Sequence, residues 1–339
     1  MTDLRSRISR SRALGLLGVL AGLIALFAVL AAVDLDTGAV HESYFLTLDN
    51  AVEVGGSCAI NLILGVGLTL VIIAGGIDLS VGRLLALTLV VMVVASNLAA
   101  AWLGGGGQEP YGAGLLTPSA LAFAAGLAAC LAAGAAVGLL SGALSVRFAI
   151  PSFIVTLGTM MMARGGAMLV AGGKSIGCAF TAPVLVQRFL PIAAALAVAA
   201  VGQVLLTKTI FGRHVFAVGG SPEAARLCGI RVGRVQVLTF IASGLCAGLA
   251  GFVYWCRNGL GDPLAGDGYE LYAIAAVIVG GTSLSGGRGS VLGTFLGALI
   301  MGVLQNGLNI KLVQPHWQYI IIGGVLTLTV LADKFKRRE

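Results

Sequence analysis

The chain has 339 residues, of which 58% are hydrophobic and only 10% are charged, and its mean hydropathy is +1.00. Soluble domains carry about 25% charged residues, so this composition excludes an ordinary soluble protein and predicts a polytopic membrane protein. The formal net charge is +7, but the distribution of the basic residues along the chain is more informative than their sum.

Ten apolar segments follow one another along the chain, and most are long enough to cross a bilayer. They lie at residues 14–33, 52–74, 81–103, 119–140, 150–171, 190–207, 235–256, 271–282, 290–310 and 316–332. The eighth is about a dozen residues long, which predicts a half-helix or a re-entrant segment. The expected fold class is therefore all-α: a polytopic transmembrane helical bundle of about ten spans, one of them short or broken.

The first apolar segment follows a basic tail, residues 1–13, that contains four arginines. A signal peptide is the alternative interpretation of this arrangement. The segment is about 20 residues long and lacks an obvious small-x-small cleavage site, so we expect a first transmembrane helix. We expect no separate soluble domain, and a single membrane domain that covers residues 1–339.

The basic residues predict the orientation of the chain. With both termini on the cytoplasmic side, 16 of the 21 lysines and arginines, Arg83 among them, fall on inner segments. Four fall on outer segments, and Arg164 lies within a span. This excess is what the positive-inside rule expects. The acids Asp267 and Glu270 fall at the outer edge in this assignment.

Two glycine-rich segments interrupt the apolar runs and resemble each other. Residues 75–83 read GGIDLSVGR and residues 280–288 read GGTSLSGGR, so six of nine positions are identical. Irregular backbone at membrane depth persists only where protein or a water-filled cavity satisfies its polar groups. The repeated segment is therefore a candidate for the functional region of the protein. The charge distribution places both copies on the inner side, which favours an inner gate or a scaffold.

Asp78 and Ser80, in the first copy, allow two interpretations. They are either gate residues or caps of the helix that begins near Val81. Capping is favoured, because Ser283 and Ser285 of the second copy can cap a helix without any charge.

Glycines recur at every fourth position in two spans. Gly134, Gly138 and Gly142 do so in the fourth span, and 289, 293 and 297 do so in the ninth. Small residues at this spacing let helix backbones approach closely, so we expect both to be packing faces, within one chain or between two.

A predicted cytoplasmic loop, residues 207–234, contains a short helix with clear end signals. Ser221 can cap it, Pro222 suits its first position and Glu223 suits its first turn. Gly229 can end it in a left-handed conformation. Local chemistry alone leaves open whether this helix is an ordinary connector or a docking surface for a soluble partner.

Family resemblance favours docking. Residues 223–229 resemble the E-A-A-x-x-x-G coupling loop of bacterial ATP-binding-cassette importer permeases. Residues 75–82 and 269–289 are similar to segments shared by permeases for ribose and related monosaccharides. The resemblance extends from about residue 50 to the C-terminus.

The resemblance implies a permease subunit that forms the pathway for a monosaccharide such as ribose, xylose or galactose in a bacterial inner membrane. Its implied partners are a second permease subunit (identical or a paralogue), a cytoplasmic ATPase and a periplasmic sugar-binding protein, and no nucleic acid. The residues implied to couple to the ATPase are Glu223, Ala224, Ala225, Arg226 and Gly229. The chain itself is expected to have no catalytic residues, metal or cofactor, with ATP and magnesium on the partner.

Polar residues near or within the spans are candidates for the translocation path or gate. They are Asn61, Asp78, Ser80, Asn97, Arg164, Ser283, Ser285 and Asn306. For the asparagines, hydrogen bonding between helices is the more common role. An ion-coupled secondary transporter is the alternative function. It usually relies on intramembrane acids, and none lies deep in a predicted span.

Overall fold

The computed structural model describes residues 2–32, 44–103, 118–179 and 183–335. The helices in these residues are α1 Thr2–Ala32, α2 Leu48–Ile73, α3 Val81–Trp102, α4 Pro118–Arg147, α5 Ser152–Ala171, α6 Val184–Lys208, α7 Ile210–Gly220, α8 Pro222–Leu227, α9 Val232–Asn258, α10 Tyr269–Val279, α11 Val291–Ile310 and α12 Pro315–Phe335. A 3-10 turn, Tyr44–Leu46, precedes α2. Two short strands, β1 Ile176–Gly177 and β2 Leu260–Gly261, pair in an antiparallel ladder.

The architecture confirms the predicted all-α bundle. Eight helices in the described part of the chain are long and apolar enough to cross a membrane: α1 to α6, α9 and α11. Helix α10 is a shorter, mostly apolar helix of 11 residues, and α12 contains the tenth predicted segment. Helix α4 continues seven residues past its predicted end and α6 begins six residues before its predicted start. Both extensions are more polar than the apolar runs. The predicted bounds are too short because a helix can continue beyond the end of its apolar run.

Helix α2 forms the centre of the bundle. Of the residues in its membrane-spanning segment, 94% are buried, compared with 6% in the spanning segment of α1. A helix that is hydrophobic on all sides fits such a position, because every face meets another helix. Helices α6, α9, α10 and α11 pack around it. Thr69 of α2 and Thr294 of α11 are joined by a hydroxyl–hydroxyl hydrogen bond of 2.6 Å.

The glycine faces pack as predicted. In the fourth span, Gly134 lies against Gly244, and Gly138 lies against Phe240, so α4 packs closely on α9 of the same chain. In the ninth span, Gly293 lies against Gly280 of the preceding segment. These contacts are so close that an added Cβ would overlap the backbone of the neighbour.

The connection from α9 to α10 re-enters the bundle. After β2, at which Gly261 contacts Val93 of α3, the chain runs back along α3 until Gly266 contacts Gly82. Eleven helical residues separate those two points on α3, or about 16 Å at 1.5 Å per residue. This is roughly half of the 30 Å hydrocarbon thickness. Helix α10 therefore starts deep in the bundle, as the prediction of a half-helix requires.

This re-entrant segment, residues 262–268, corrects the side assignment made from charge. Arg83 was expected on the inner side and Asp267 at the outer edge, yet their side chains form an ion pair. Counting charges treats every connection between spans as lying at one surface. A connection that folds back into the bundle breaks that assumption.

Candidate functional site: the glycine junction and the α8 loop

The first glycine-rich segment ends α2 and leads into α3. Gly75 has φ of +87°, and the Gly76 N–H donates to the Val71 carbonyl over 2.9 Å, so α2 ends in a Schellman motif. Asp78 Oδ1 then accepts from the Ser80 N–H at 3.0 Å and from its hydroxyl at 2.6 Å. The result is a tight turn closed by the Asp78 carboxylate.

This turn corrects the capping prediction for Ser80. Ser80 immediately precedes α3, but it is already in a helical conformation and its side chain makes no capping hydrogen bond. Its hydroxyl donates to Asp78 instead. Asp78 Oδ2 accepts a further hydrogen bond of 2.7 Å from the hydroxyl of Ser243 in α9. The buried carboxylate thus joins the first segment to a helix 165 residues further along the chain.

The second glycine-rich segment repeats part of this design. Helix α10 also ends at a glycine of positive φ, Gly281 at +88°, and Ser283 Oγ accepts from the Ser285 N–H over 3.2 Å. The prediction that Ser283 or Ser285 caps the next helix is wrong. Helix α11 begins six residues after Ser285, and Ser290 caps it by accepting from the Gly293 N–H at 3.0 Å.

The two segments meet at the last turn of α7. The Gly287 N–H donates to the Ile73 carbonyl over 2.9 Å. A Cβ added at Gly286 would lie 2.9 Å from the carbonyl oxygen of Gly219 and 3.2 Å from the Cα of Gly75. We refer to Gly75, Gly219, Gly286 and Gly287 as the glycine junction. At Gly219, Gly286 and Gly287 an added Cβ would lie 3.0 Å or less from the backbone of a neighbour, so these positions require glycine. At Gly75 the positive φ favours glycine instead.

Helix α8 follows α7 directly and has the predicted end structures. Ser221 Oγ accepts from the Ala224 N–H at 3.2 Å, with Pro222 in the first helical position. Gly229 has φ of +80° and donates to the Arg226 carbonyl over 2.9 Å. The following N–H, of Ile230, donates to Ala225 over 3.0 Å, which completes a Schellman motif.

The exposed surface of this short helix differs in part from the set named from sequence. Glu223, Ala224, Arg226 and Gly229 are exposed, whereas Ala225 is buried against the rest of the chain. Leu227 was not singled out, although its side chain is 90% exposed. The available signal in the sequence was a leucine next to Arg226 in a loop predicted to be cytoplasmic. We refer to Glu223, Ala224, Arg226 and Leu227 as the α8 surface.

A cavity of about 380 Å³ lies beside the α8 surface. Arg226 borders it together with Gly75, Gly76 and the turn between α4 and α5. Helix α5 also holds the first glycine-rich segment, because Ser152 Oγ accepts from the Ile77 N–H over 2.9 Å. The cavity thus lies between Arg226 of α8 and the beginning of the first glycine-rich segment.

Two of the three asparagines predicted to line a path make structural hydrogen bonds. Asn97 donates to the Gly177 carbonyl at 2.9 Å and accepts from the Ala179 N–H at 2.8 Å, so it holds β1 against α3. Asn306 donates to the side chain of Asn50 over 3.0 Å. The Asn306 contact corresponds to the alternative of hydrogen bonding between helices, whereas Asn97 joins a helix to a short strand.

Two further candidates remain without an assigned contact. Asn61 is buried, and no described residue hydrogen-bonds to its Oδ1. Arg164 is exposed on α5.

The contacts described above connect the surface of the protein to its interior. Helix α8 follows α7, whose Gly219 contacts the backbone of both glycine-rich loops. Helix α8 also contacts α9, which holds Asp78 through the Ser243 hydrogen bond. Such an arrangement can transmit a displacement of α8 to both loops.

Known proteins match this chain over most of its length. Residues 50–330 match the family described as the permease component of branched-chain amino acid transport systems. The ribose import permease protein of Escherichia coli K12 is 37% identical over 303 residues, which cover 86% of this chain and 88% of that protein.

Two further relatives come from the same organism. The D-allose transport system permease protein is 34% identical over 91% of this chain and 90% of its own length. The L-arabinose transport system permease protein is 33% identical over 94% and 91%, respectively. No solved structure matches the chain.

Proposed function

This chain belongs to the permease family that matches residues 50–330, and from that premise we propose that it forms the translocation pathway of an ATP-driven importer for a monosaccharide. Its similarity to permeases for ribose, allose and arabinose supports the sugar substrate. The same relatives favour an ATP-binding-cassette importer over an ion-coupled transporter. The protein is a multi-pass protein of the inner membrane.

The observation that carries the mechanism is the contact between α7–α8 and the two glycine-rich loops. An ATPase subunit binds the α8 surface, where Leu227 supplies apolar area and Glu223 and Arg226 supply charge. Movement of α8 displaces Gly219, which lies against the backbone of Ile73 and Gly286. The two loops move together because they share this contact, and the pathway changes its exposure.

The transporter needs further subunits in this proposal. ATP and magnesium bind to the ATPase partner, and a periplasmic binding protein delivers the sugar. A second permease subunit, identical or a paralogue, completes the pathway. Both termini and α8 lie on the cytoplasmic side, as the excess of basic residues on those segments supports.

The test is sugar uptake by the permease reconstituted with its ATPase and binding protein. Proteoliposomes receive labelled ribose, allose or arabinose, with ATP on the ATPase side. Uptake that requires ATP and persists when an ionophore removes the ion gradients supports the proposal. Uptake without ATP that stops when the ionophore is added contradicts it and favours the ion-coupled alternative.

A further inference from the structure

An arginine is buried near the middle of the bundle. Arg83 lies in the first turn of α3, and its side chain is only 6% exposed. Two points measure its depth. Gly82 lies about 16 Å along α3 from Val93, next to the β1–β2 pair. Asp78, five residues before Arg83, is bonded to Ser243 of α9. Ser243 lies about 16 Å along α9 from the first residue of that helix.

The re-entrant segment supplies the partners of this arginine. One guanidinium nitrogen of Arg83 forms an ion pair with Asp267 Oδ1, and another donates to the Leu264 carbonyl over 3.4 Å. A buried charge is stable only when it is paired and hydrogen-bonded. Arg83 therefore fixes the position of residues 264–267 against α3.

Asp267 differs from its partner in exposure. Its side chain is 73% exposed, although it lies at the same depth as Arg83. A carboxylate in contact with lipid at this depth is costly, so an exposed one faces a water-filled cavity. No described residue donates a hydrogen bond to its second oxygen, Oδ2. That oxygen is therefore free to accept a hydrogen bond from a ligand.

A second carboxylate lies one helical turn further along. Glu270 Oε2 is buried over Gly82 and has no hydrogen-bond partner among the described residues. Buried acceptors normally have a donor, and a hydroxyl group can serve as one. Two carboxylate acceptors beside one another suit a neutral ligand with several hydroxyl groups.

We propose that Asp267, positioned by the buried guanidinium of Arg83, contacts the hydroxyl groups of the sugar midway along the translocation pathway. This inference rests on the proposed function. Its basis is the exposed carboxylate at membrane depth. Asp267 accepts hydrogen bonds from the sugar in transit, and Arg83 acts through Asp267 as a positioning residue.

The experiment compares Asp267→Asn with Asp262→Asn in proteoliposomes that contain the ATPase and the binding protein. The amide introduced by Asp267→Asn retains an oxygen that can accept from Arg83, so the variant keeps a hydrogen-bond partner for the buried guanidinium. Asp262 is the matched control, because it belongs to the same segment and its Oδ1 accepts from the Leu264 N–H over 2.9 Å, which an amide oxygen can replace.

Two rates are measured for each variant: ATP-driven uptake of D-ribose, or of whichever related sugar the wild type imports, and ATP hydrolysis stimulated by the loaded binding protein. We expect Asp267→Asn to lower uptake at least tenfold with hydrolysis within twofold of wild type, and Asp262→Asn to change neither. We also expect Asp267→Asn to reduce the discrimination against deoxy analogues of the sugar. Unchanged uptake and discrimination, or an equal loss of uptake and hydrolysis, overturns the inference.

A labelling experiment tests the cavity without transport. Leu264→Cys, on the same segment and exposed, should react with a charged, water-soluble methanethiosulfonate above the background of the six native cysteines. Absence of reaction overturns the inference. If the wild type shows no ATP-driven uptake, the proposed function fails by itself, and this labelling still reports whether the segment faces water.

Discussion

Replacement of Gly219 by alanine tests the glycine junction with a single methyl group. The added Cβ would overlap the carbonyl oxygen of Ile73 and would lie 2.6 Å from the amide nitrogen of Gly287. Both neighbours are main-chain atoms that form a hydrogen bond with each other, so rotation of a side chain cannot relieve the overlap. The backbone of α7 or of both loops must shift.

The expected cost follows from that overlap. Overpacking of a closely packed site costs about 1–3 kcal/mol, and about 1.4 kcal/mol corresponds to a tenfold change in an equilibrium constant. The neighbouring Gly220 provides a matched control, because a Cβ at this position meets nothing within 4 Å. Both changes add the same methyl group to the last turn of the same helix, so any difference between them reports the junction.

Thermal unfolding of the purified protein measures stability, and reconstituted transporter gives the ratio of sugar imported to ATP hydrolysed. We expect Gly219→Ala to unfold at a lower temperature than the wild type and to import less sugar per ATP. We expect Gly220→Ala to match the wild type in both measurements. Equal behaviour of the two variants would refute the reasoning.

Two other changes test the remaining connections. Gly229→Ala places a Cβ at φ of +80°, at a cost of about 1–2 kcal/mol, and should weaken stimulation of the ATPase, whereas Gly229→Asn should retain more activity since asparagine tolerates this conformation. Full stimulation by the alanine variant would contradict the role of the α8 end. A double-mutant cycle of Asp78→Asn and Ser243→Ala, followed by unfolding, should give a coupling energy of about 0.5–3 kcal/mol, and additive effects would show that the two side chains act independently.

The features predicted correctly depend on signals within a short stretch of sequence. The end structures of α8 follow from Ser221, Pro222 and Gly229, each of which acts on atoms within a few residues. The half-helix α10 follows from the length of one apolar run. The glycine face of α4 follows from spacing, because Gly134 and Gly138 must lie on the same side of a helix.

The features missed or mistaken depend on residues far apart in the sequence. Asp78 and Ser80 have the composition of a helix cap, but Ser243 of α9 provides the carboxylate with a distant donor. Arg83 and Asp267 were assigned to opposite sides, because nothing in the sequence indicates that the connection after β2 folds back along α3. The contact of Gly219 with both glycine-rich loops likewise exists only in the packed bundle. The exposure of Leu227 likewise depends on which side of α8 packs against the rest of the chain.

The central claim is that an ATPase subunit binds the α8 surface. A photoreactive amino acid placed at Leu227 in the assembled transporter tests it directly. The control position is Leu169, whose side chain is 85% exposed against 90% for Leu227 but which lies near the opposite end of α5 from the cavity beside Arg226. We predict a cross-link to the ATPase from position 227 and none from position 169. No ATPase adduct at position 227, or equal adducts at both positions, would contradict the account.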